Sequence, residues 1–126
     1  MTTKKILIVD DEDDIREVAK VSLEMVGGWD VLVAGSGSEG LAEAKSGQPD
    51  AILLDVMMPD KDGPATFQRL QADEATRHIP VILLTAKVQA AERLRFAALG
   101  VSGVLAKPFD PMTLPSQVAE VLCWNQ

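Results

Sequence analysis

Apolar residues follow two alternating patterns along the chain. Five short runs are apolar at nearly every position: Lys5–Asp10 (KILIVD), Asp30–Ala34 (DVLVA), Asp50–Asp55 (DAILLD), Pro80–Thr85 (PVILLT) and Ser102–Ala106 (SGVLA). A half-solvated strand would alternate apolar and polar residues. Continuous Val, Ile and Leu instead predict strands covered on both faces, as in a parallel sheet. Helical spacing fills the intervals. Asp14–Val26 places Ile15, Val18, Ala19, Leu23 and Val26 at that spacing before the stop at Gly27-Gly28. Ser38–Ser46 carries Leu41, Ala42 and Ala44, and Pro64–Ala72 carries Phe67 and Leu70 behind a proline suited to a first turn. Gln89–Leu99 carries Leu94, Ala97 and Ala98, and Pro111–Trp124 carries Leu114, Val118, Val121 and Leu122. Five strands alternating with five helices predict an α/β fold: an open, doubly wound parallel sheet with right-handed crossovers and helices on both faces.

The chain has 126 residues, which suits one domain over 1–126, and no output domain is expected after the fifth helix. A net charge of −7 argues against whole-surface attraction to nucleic acid or anionic lipid. The aliphatic runs are far too short to insert into a membrane, and Asp10 interrupts any signal-like start. A single cysteine, Cys123, excludes an internal disulfide and a cysteine-cluster metal site, so a reducing, cytoplasmic setting is expected. The one histidine, His78, lies in a polar loop and is expected to face solvent.

Ligands of open α/β sheets bind at the carboxyl ends of the strands. Four of the five runs turn polar there: Asp10 and Asp11 after the first, Asp55 closing the third, Thr85 closing the fourth and Lys107 after the fifth. Asp13 and Asp14 read as solvated acids at a helix start, where the dipole favours negative charge. Asp10 and Asp11 follow directly on ILIV and fit that account poorly. If Asp55 lies on the neighbouring strand, three carboxylates share one crevice. Two unit charges ~4 Å apart repel by roughly 4 kcal/mol at an effective dielectric near 20. Such a cluster needs raised pKa values or a cation. Oxygen donors without His or Cys favour a hard ion, Mg²⁺ first, with Mn²⁺ or Ca²⁺ as alternatives. Asp55 opens DVMMPDKDG, in which Pro59 and Gly63 force a loop over the rim. Asp55 is then a candidate carboxylate nucleophile for a phosphoryl group. Thr85 is a candidate donor to a phosphoryl oxygen, and Lys107 a counter-charge to the acids. The Lys107–Pro108 bond is a candidate for the cis form, which only Xaa-Pro bonds adopt cheaply.

These residues resemble the receiver domain of two-component response regulators. ILIVDDE, LLDVMMPDKDG, VILLTA and AKPF match in order, with 44 residues from Asp11 to Asp55, 30 more to Thr85 and 22 more to Lys107. The resemblance implies a flavodoxin-like sheet of order 2-1-3-4-5. It implies that Asp55 is phosphorylated by a histidine-kinase phosphohistidine. Asp11, Asp55 and the backbone carbonyl of Met57 would bind Mg²⁺, with Asp10 reaching the ion largely through water. Thr85 and Lys107 would hold the phosphoryl oxygens. The implied protein is a switch and no enzyme beyond assisting its own phosphotransfer and dephosphorylation. Its partners would be a sensor kinase or phosphotransfer protein and a downstream protein docked on the fourth helix, fifth strand and fifth helix. Direct nucleic-acid contact is not expected, and dimerisation on phosphorylation stays open. One departure stands out: the family's aromatic switch position aligns with Val104, and a valine cannot bury a ring. Met57 and Lys87, two residues after Asp55 and Thr85, are expected to shape water access and phospho-form lifetime.

Three rival readings compete. Gly35-Ser-Gly37-Ser-Glu-Gly40 is a literal G-x-G-x-x-G between a strand and a helix. It follows the second strand rather than the first, the neighbouring acids would repel a pyrophosphate, and no substrate domain remains. A glycine-rich turn is the simpler account. An aspartate-nucleophile phosphatase would want a second acid two residues after Asp55, where Met57 stands. A degenerate receiver that binds a cation or a protein without phosphotransfer explains the acids but not Thr85 and Lys107 on the same rim.

Overall fold

Each apolar run becomes a strand in the computed structural model, which describes residues 3–58, 62–86 and 90–124. The strands are β1 (Lys5–Val9), β2 (Asp30–Ala34), β3 (Ala51–Asp55), β4 (Val81–Thr85) and β5 (Gly103–Ala106). They form one parallel sheet in the order β2-β1-β3-β4-β5, as the resemblance implies. Side chains alternate across a strand, so each apolar run feeds two cores. Leu7, Val9, Ile52, Leu54, Val81 and Leu83 point one way, into a core shared with Ala44, Phe67, Leu70 and Phe96. Ile6, Ile8, Ala51, Leu53, Ile82 and Leu84 point the other way, against Ala19, Leu23, Leu114 and Val118.

Two-sided burial holds for the central strands but not for the edges. Every position of β3 and β4 is buried, whereas in β2 only Ala34 is, and β5 has no buried residue. An edge strand has a neighbour on one side only, so its apolar run overstates its cover.

The helices are α1 (Asp13–Val21), α2 (Gly37–Gly47), α3 (Gly63–Ala72), α4 (Ala90–Ala97) and α5 (Leu114–Leu122). The helix expected over 14–26 stops being α-helical at Val21 and continues as a π-helical turn, Ser22–Val26. A π turn inserts an extra residue and rotates the inward face. Ser22 is thereby buried and its hydroxyl donates to the Pro111 carbonyl, while Val18 and Val26 are exposed. Among the described side chains of α4, Phe96 is buried; Leu94, expected in the core, is exposed. The helix expected from Pro111 begins only at Leu114 and ends before Cys123, which caps it with φ 58° instead of lying on it. That left-handed turn lets the Trp124 N–H reach back to the Ala119 carbonyl at 2.8 Å. It also seats Trp124 edge-on against Trp29, with ring centroids 5.4 Å apart and the Lys4 ammonium 4.8 Å from the Trp124 ring centroid. His78 is exposed, as expected.

Candidate functional site

The sheet brings the polar strand ends together because the strands are parallel and in step. Val9 pairs with Leu54 and Asp55 with Leu84, so Asp10 and Asp55 end neighbouring strands at one level. Lys107 follows β5, and its amide donates to the Thr85 carbonyl at 2.9 Å. The Lys107–Pro108 bond is cis. The Lys107 side chain crosses the rim to the acids. Its Nζ lies 3.0 Å from Asp10 Oδ2, 3.3 Å from Asp55 Oδ1 and 3.9 Å from Glu12 Oε1. Asp10 is 0% exposed and Asp55 and Thr85 are each 3% exposed, whereas Asp11 is on the surface. Asp10, Asp11 and Asp55 each offer one oxygen within 4.8 Å of the others. An all-oxygen trio of carboxylates fits a hard divalent ion.

Electrostatics follow from this burial. Desolvation raises the Asp55 carboxyl from 3.8 to about 6; the Asp10 charge adds to the rise, and Lys107 and the Met57 amide (3.3 Å from Oδ1) oppose it. Burial alone would lower the Lys107 ammonium, but its hydrogen bond and charge pairing with Asp10, and then Asp55, leave it raised overall. Lys107 therefore stays cationic beside two carboxylates, one of which is held in an unfavourable ionised state.

Gly63, at the start of α3, packs directly on the end of β3. A Cβ at that position would lie 2.7 Å from the Asp55 carbonyl oxygen and 2.8 Å from the Val56 Cα, so only glycine allows this close approach to the end of β3. The Gly63 amide donates to the Val56 carbonyl at 2.9 Å. Asp62 then caps α3 by accepting from the Ala65 amide at 2.8 Å, with Pro64 in the first turn.

Residues 6–119 match the family model described as the response regulator receiver domain. The chain belongs to that family. RpaA of Synechocystis sp., described as a DNA-binding dual master transcriptional regulator, is 41% identical over 118 residues, covering 94% of this chain and 48% of that protein. The phosphate regulon regulator PhoB of Pseudomonas aeruginosa is 40% identical over 122 residues, covering 97% of this chain and 53% of that protein. The chain thus spans about half the length of the curated relatives it matches. Among solved structures, the chemotaxis response regulator CheY4 of Vibrio cholerae superposes with a TM-score of 0.88 at 32% identity, covering 95% of this chain and 99% of that one. A response regulator of Chloroflexus aurantiacus gives 0.86 at 32% identity, with 97% and 99% covered.

In this receiver domain the G-x-G-x-x-G segment is a packing device. A Cβ at Gly40 would stand 2.8 Å from a Val9 methyl, and one at Gly35 would stand 3.2 Å from Arg16 Nη1. Ser36 caps α2 by accepting from the Glu39 amide. Val104 is half-buried against the core that holds Phe96. Met57 is 70% exposed beside Asp55, while Pro59 and Lys87 lie outside the described residues. The sequence reading missed Arg16, whose Nη1 donates to the Asp10 carbonyl at 2.7 Å and whose Nη2 pairs with Asp13. The signal was available: an uninterrupted run of five acids demands a nearby cation, and Arg16 is the first one after it. No helix among the described residues is long and apolar enough to cross a membrane.

Proposed function

We propose that Asp55 is the phospho-acceptor of this receiver domain, with a histidine-kinase or phosphotransfer-protein phosphohistidine as donor. The observation that carries the reading is the Lys107 ammonium held between the buried carboxylates of Asp10 and Asp55. With a pKa of about 6 before any ion binds, Asp55 is largely ionised at neutral pH and can act as a nucleophile. One Oδ attacks phosphorus in line, the N–P bond breaks, and the departing imidazole nitrogen takes a proton from solvent. The acyl phosphate brings about −1.5 to −2 charges into an acidic rim. Lys107 needs only to turn from carboxylate to phosphoryl oxygen to meet them. Thr85, buried at the end of the adjacent strand, is assigned as donor to a second phosphoryl oxygen. Asp10, Asp11, Asp55 and the Met57 carbonyl are the residues that would hold Mg²⁺. When bound, the ion supplies charge neutralisation for the transferring group. Attack of water on phosphorus later returns the carboxylate and releases inorganic phosphate.

Response-regulator receivers act on output domains, and here α4, β5 and α5 are proposed as the face that responds. Phosphorylation shifts that face only through its differential free energy between two states. The domain itself is proposed to make no nucleic-acid contact, given its net charge of −7; DNA binding is a property named for RpaA. Incubation with acetyl phosphate and Mg²⁺, read by intact mass, tests the proposal. One phosphoryl adduct that needs both Asp55 and the ion is expected. An adduct that persists in Asp55→Asn would refute the assignment, and none in the wild type would leave a non-phosphorylated interaction module.

A further inference from the structure

We propose that Arg16 is a positioning residue that shapes the acidic rim for its divalent ion; the inference rests on the metal reading above. Arg16 sits in the first turns of α1, where an arginine would ordinarily extend into solvent. Its side chain is only 22% exposed. One arm of the guanidinium donates to the Asp10 backbone carbonyl at 2.7 Å, and the other pairs with the Asp13 carboxylate. The fork thus spans the loop that carries Asp11, tying the residue before it to the first turn after it. Asp10 Oδ1 in turn accepts from the Glu12 amide at 2.9 Å, which closes the loop from inside.

A simple helix-surface pair with Asp13 is the competing account. Exposed pairs of that kind contribute little, and the account leaves two observations unexplained. It gives no reason for the bond to the Asp10 carbonyl. Nor does it explain why β2 is followed by a glycine whose backbone lies against the guanidinium, so that a Cβ there would stand 3.2 Å from Nη1. Gly35 has no left-handed φ to require glycine; the space it leaves is filled by Arg16. No contact between Arg16 and the carboxylates of Asp10, Asp11 or Asp55 accompanies these bonds among the described interactions. Arg16 therefore acts on the ion through backbone placement rather than as a ligand. Two-pronged donation suits arginine and not lysine.

Calorimetric titration of the folded chain with MgCl₂ tests this. Groups that orient metal ligands typically cost 10–100-fold in affinity when removed, so Arg16→Ala should raise the Mg²⁺ dissociation constant by about tenfold or more. Arg16→Lys keeps the charge and loses the fork, and should recover only part of the affinity. Gly35→Ala crowds the guanidinium and should weaken binding in the wild-type background but not in Arg16→Ala, a non-additivity expected only if the two act through one contact. Loss of helix stability alone would leave the affinity of the folded protein unchanged. Wild-type affinity in folded Arg16→Ala, or full rescue by lysine, overturns the positioning role while the metal site stands. If Arg16→Ala does not fold, Gly35→Ala and Arg16→Lys decide. A wild-type chain that binds no Mg²⁺, like an Asp11→Asn control, overturns the metal reading and this inference with it.

Discussion

Replacing Asp55 by asparagine should stabilise the metal-free protein at pH 8. The carboxyl is 3% exposed, and its pKa is raised from 3.8 to about 6, first by burial and then by the charge of Asp10, net of the attraction to Lys107. A raised folded-state pKa means that the native state binds a proton more tightly than the unfolded chain. The ionised group therefore opposes folding in full above pH 6, and the opposition fades as pH falls from about 6 to about 4. At 1.36 kcal/mol per pH unit, the rise corresponds to about 3 kcal/mol, a large share of the 5–15 kcal/mol typical of a domain. Burial leaves little room for salt to screen it. Urea unfolding in EDTA, followed by far-UV circular dichroism from pH 4 to 8, reads the difference. Asp55→Asn should gain about 2–3 kcal/mol at pH 8 and close to nothing at pH 4. Mg²⁺ at a hundred times its dissociation constant returns about 2.7 kcal/mol to the wild type, so saturating ion should nearly close the gap. An asparagine variant no more stable than wild type at pH 8 in EDTA would refute the claim that this rim is poised by charge repulsion.

Other substitutions probe the remaining parts. Lys107→Ala leaves Asp10 and Asp55 facing each other without their cation; a loss of about 3–5 kcal/mol in EDTA is expected, partly restored by Mg²⁺, and urea titrations with and without the ion check both. Gly63→Ala drives a methyl into the backbone of Asp55 and Val56; a cost of about 1–3 kcal/mol should come with slower phosphorylation by acetyl phosphate, and unaltered stability would show that the position tolerates a side chain. Met57→Asn replaces an exposed thioether beside Asp55 by a group able to order water, so the phospho-form should decay faster; lifetimes measured by intact mass, with Lys87→Glu in parallel, would show no change in either variant if neither residue governs water access.

Much of this architecture was legible because parallel strands buried on both faces leave an unmistakable pattern. VILLT and AILLD are buried throughout, and each strand was placed within a residue of its observed bounds. The same runs hid the difference between centre and edge: DVLVA reads like AILLD, yet Val33 is exposed because β2 has no outer neighbour. Periodicity also failed after Val21, since a π turn shifts the inward face and places a serine where an apolar residue is expected. The acids and Lys107 were readable from the abrupt polarity at strand ends, and the structure brings Lys107 between Asp10 and Asp55. For Arg16 the run of acids before it advertised only a charge partner; its bond to the Asp10 backbone carbonyl is one that no residue pattern shows. Gly35 and Gly40 looked like a phosphate cradle for a related reason: a sequence shows that a side chain is missing but not which neighbour occupies the room.

The edge-to-face pair of Trp29 and Trp124 has an optical consequence. These are the two indoles of the chain, and they sit with Lys4 at the amino end of β1, six residues and about 20 Å of strand from Asp10. Two indoles with centroids 5.4 Å apart and planes at 84° should couple, giving a near-ultraviolet ellipticity that disappears when Trp124 leaves Trp29. The emission of both rings should follow that local docking and global unfolding while remaining blind to events at the acidic rim. Ion binding and phosphorylation in this receiver must therefore be followed by a label placed at the rim, by nuclear resonance or by heat, and a flat fluorescence titration carries no information about either.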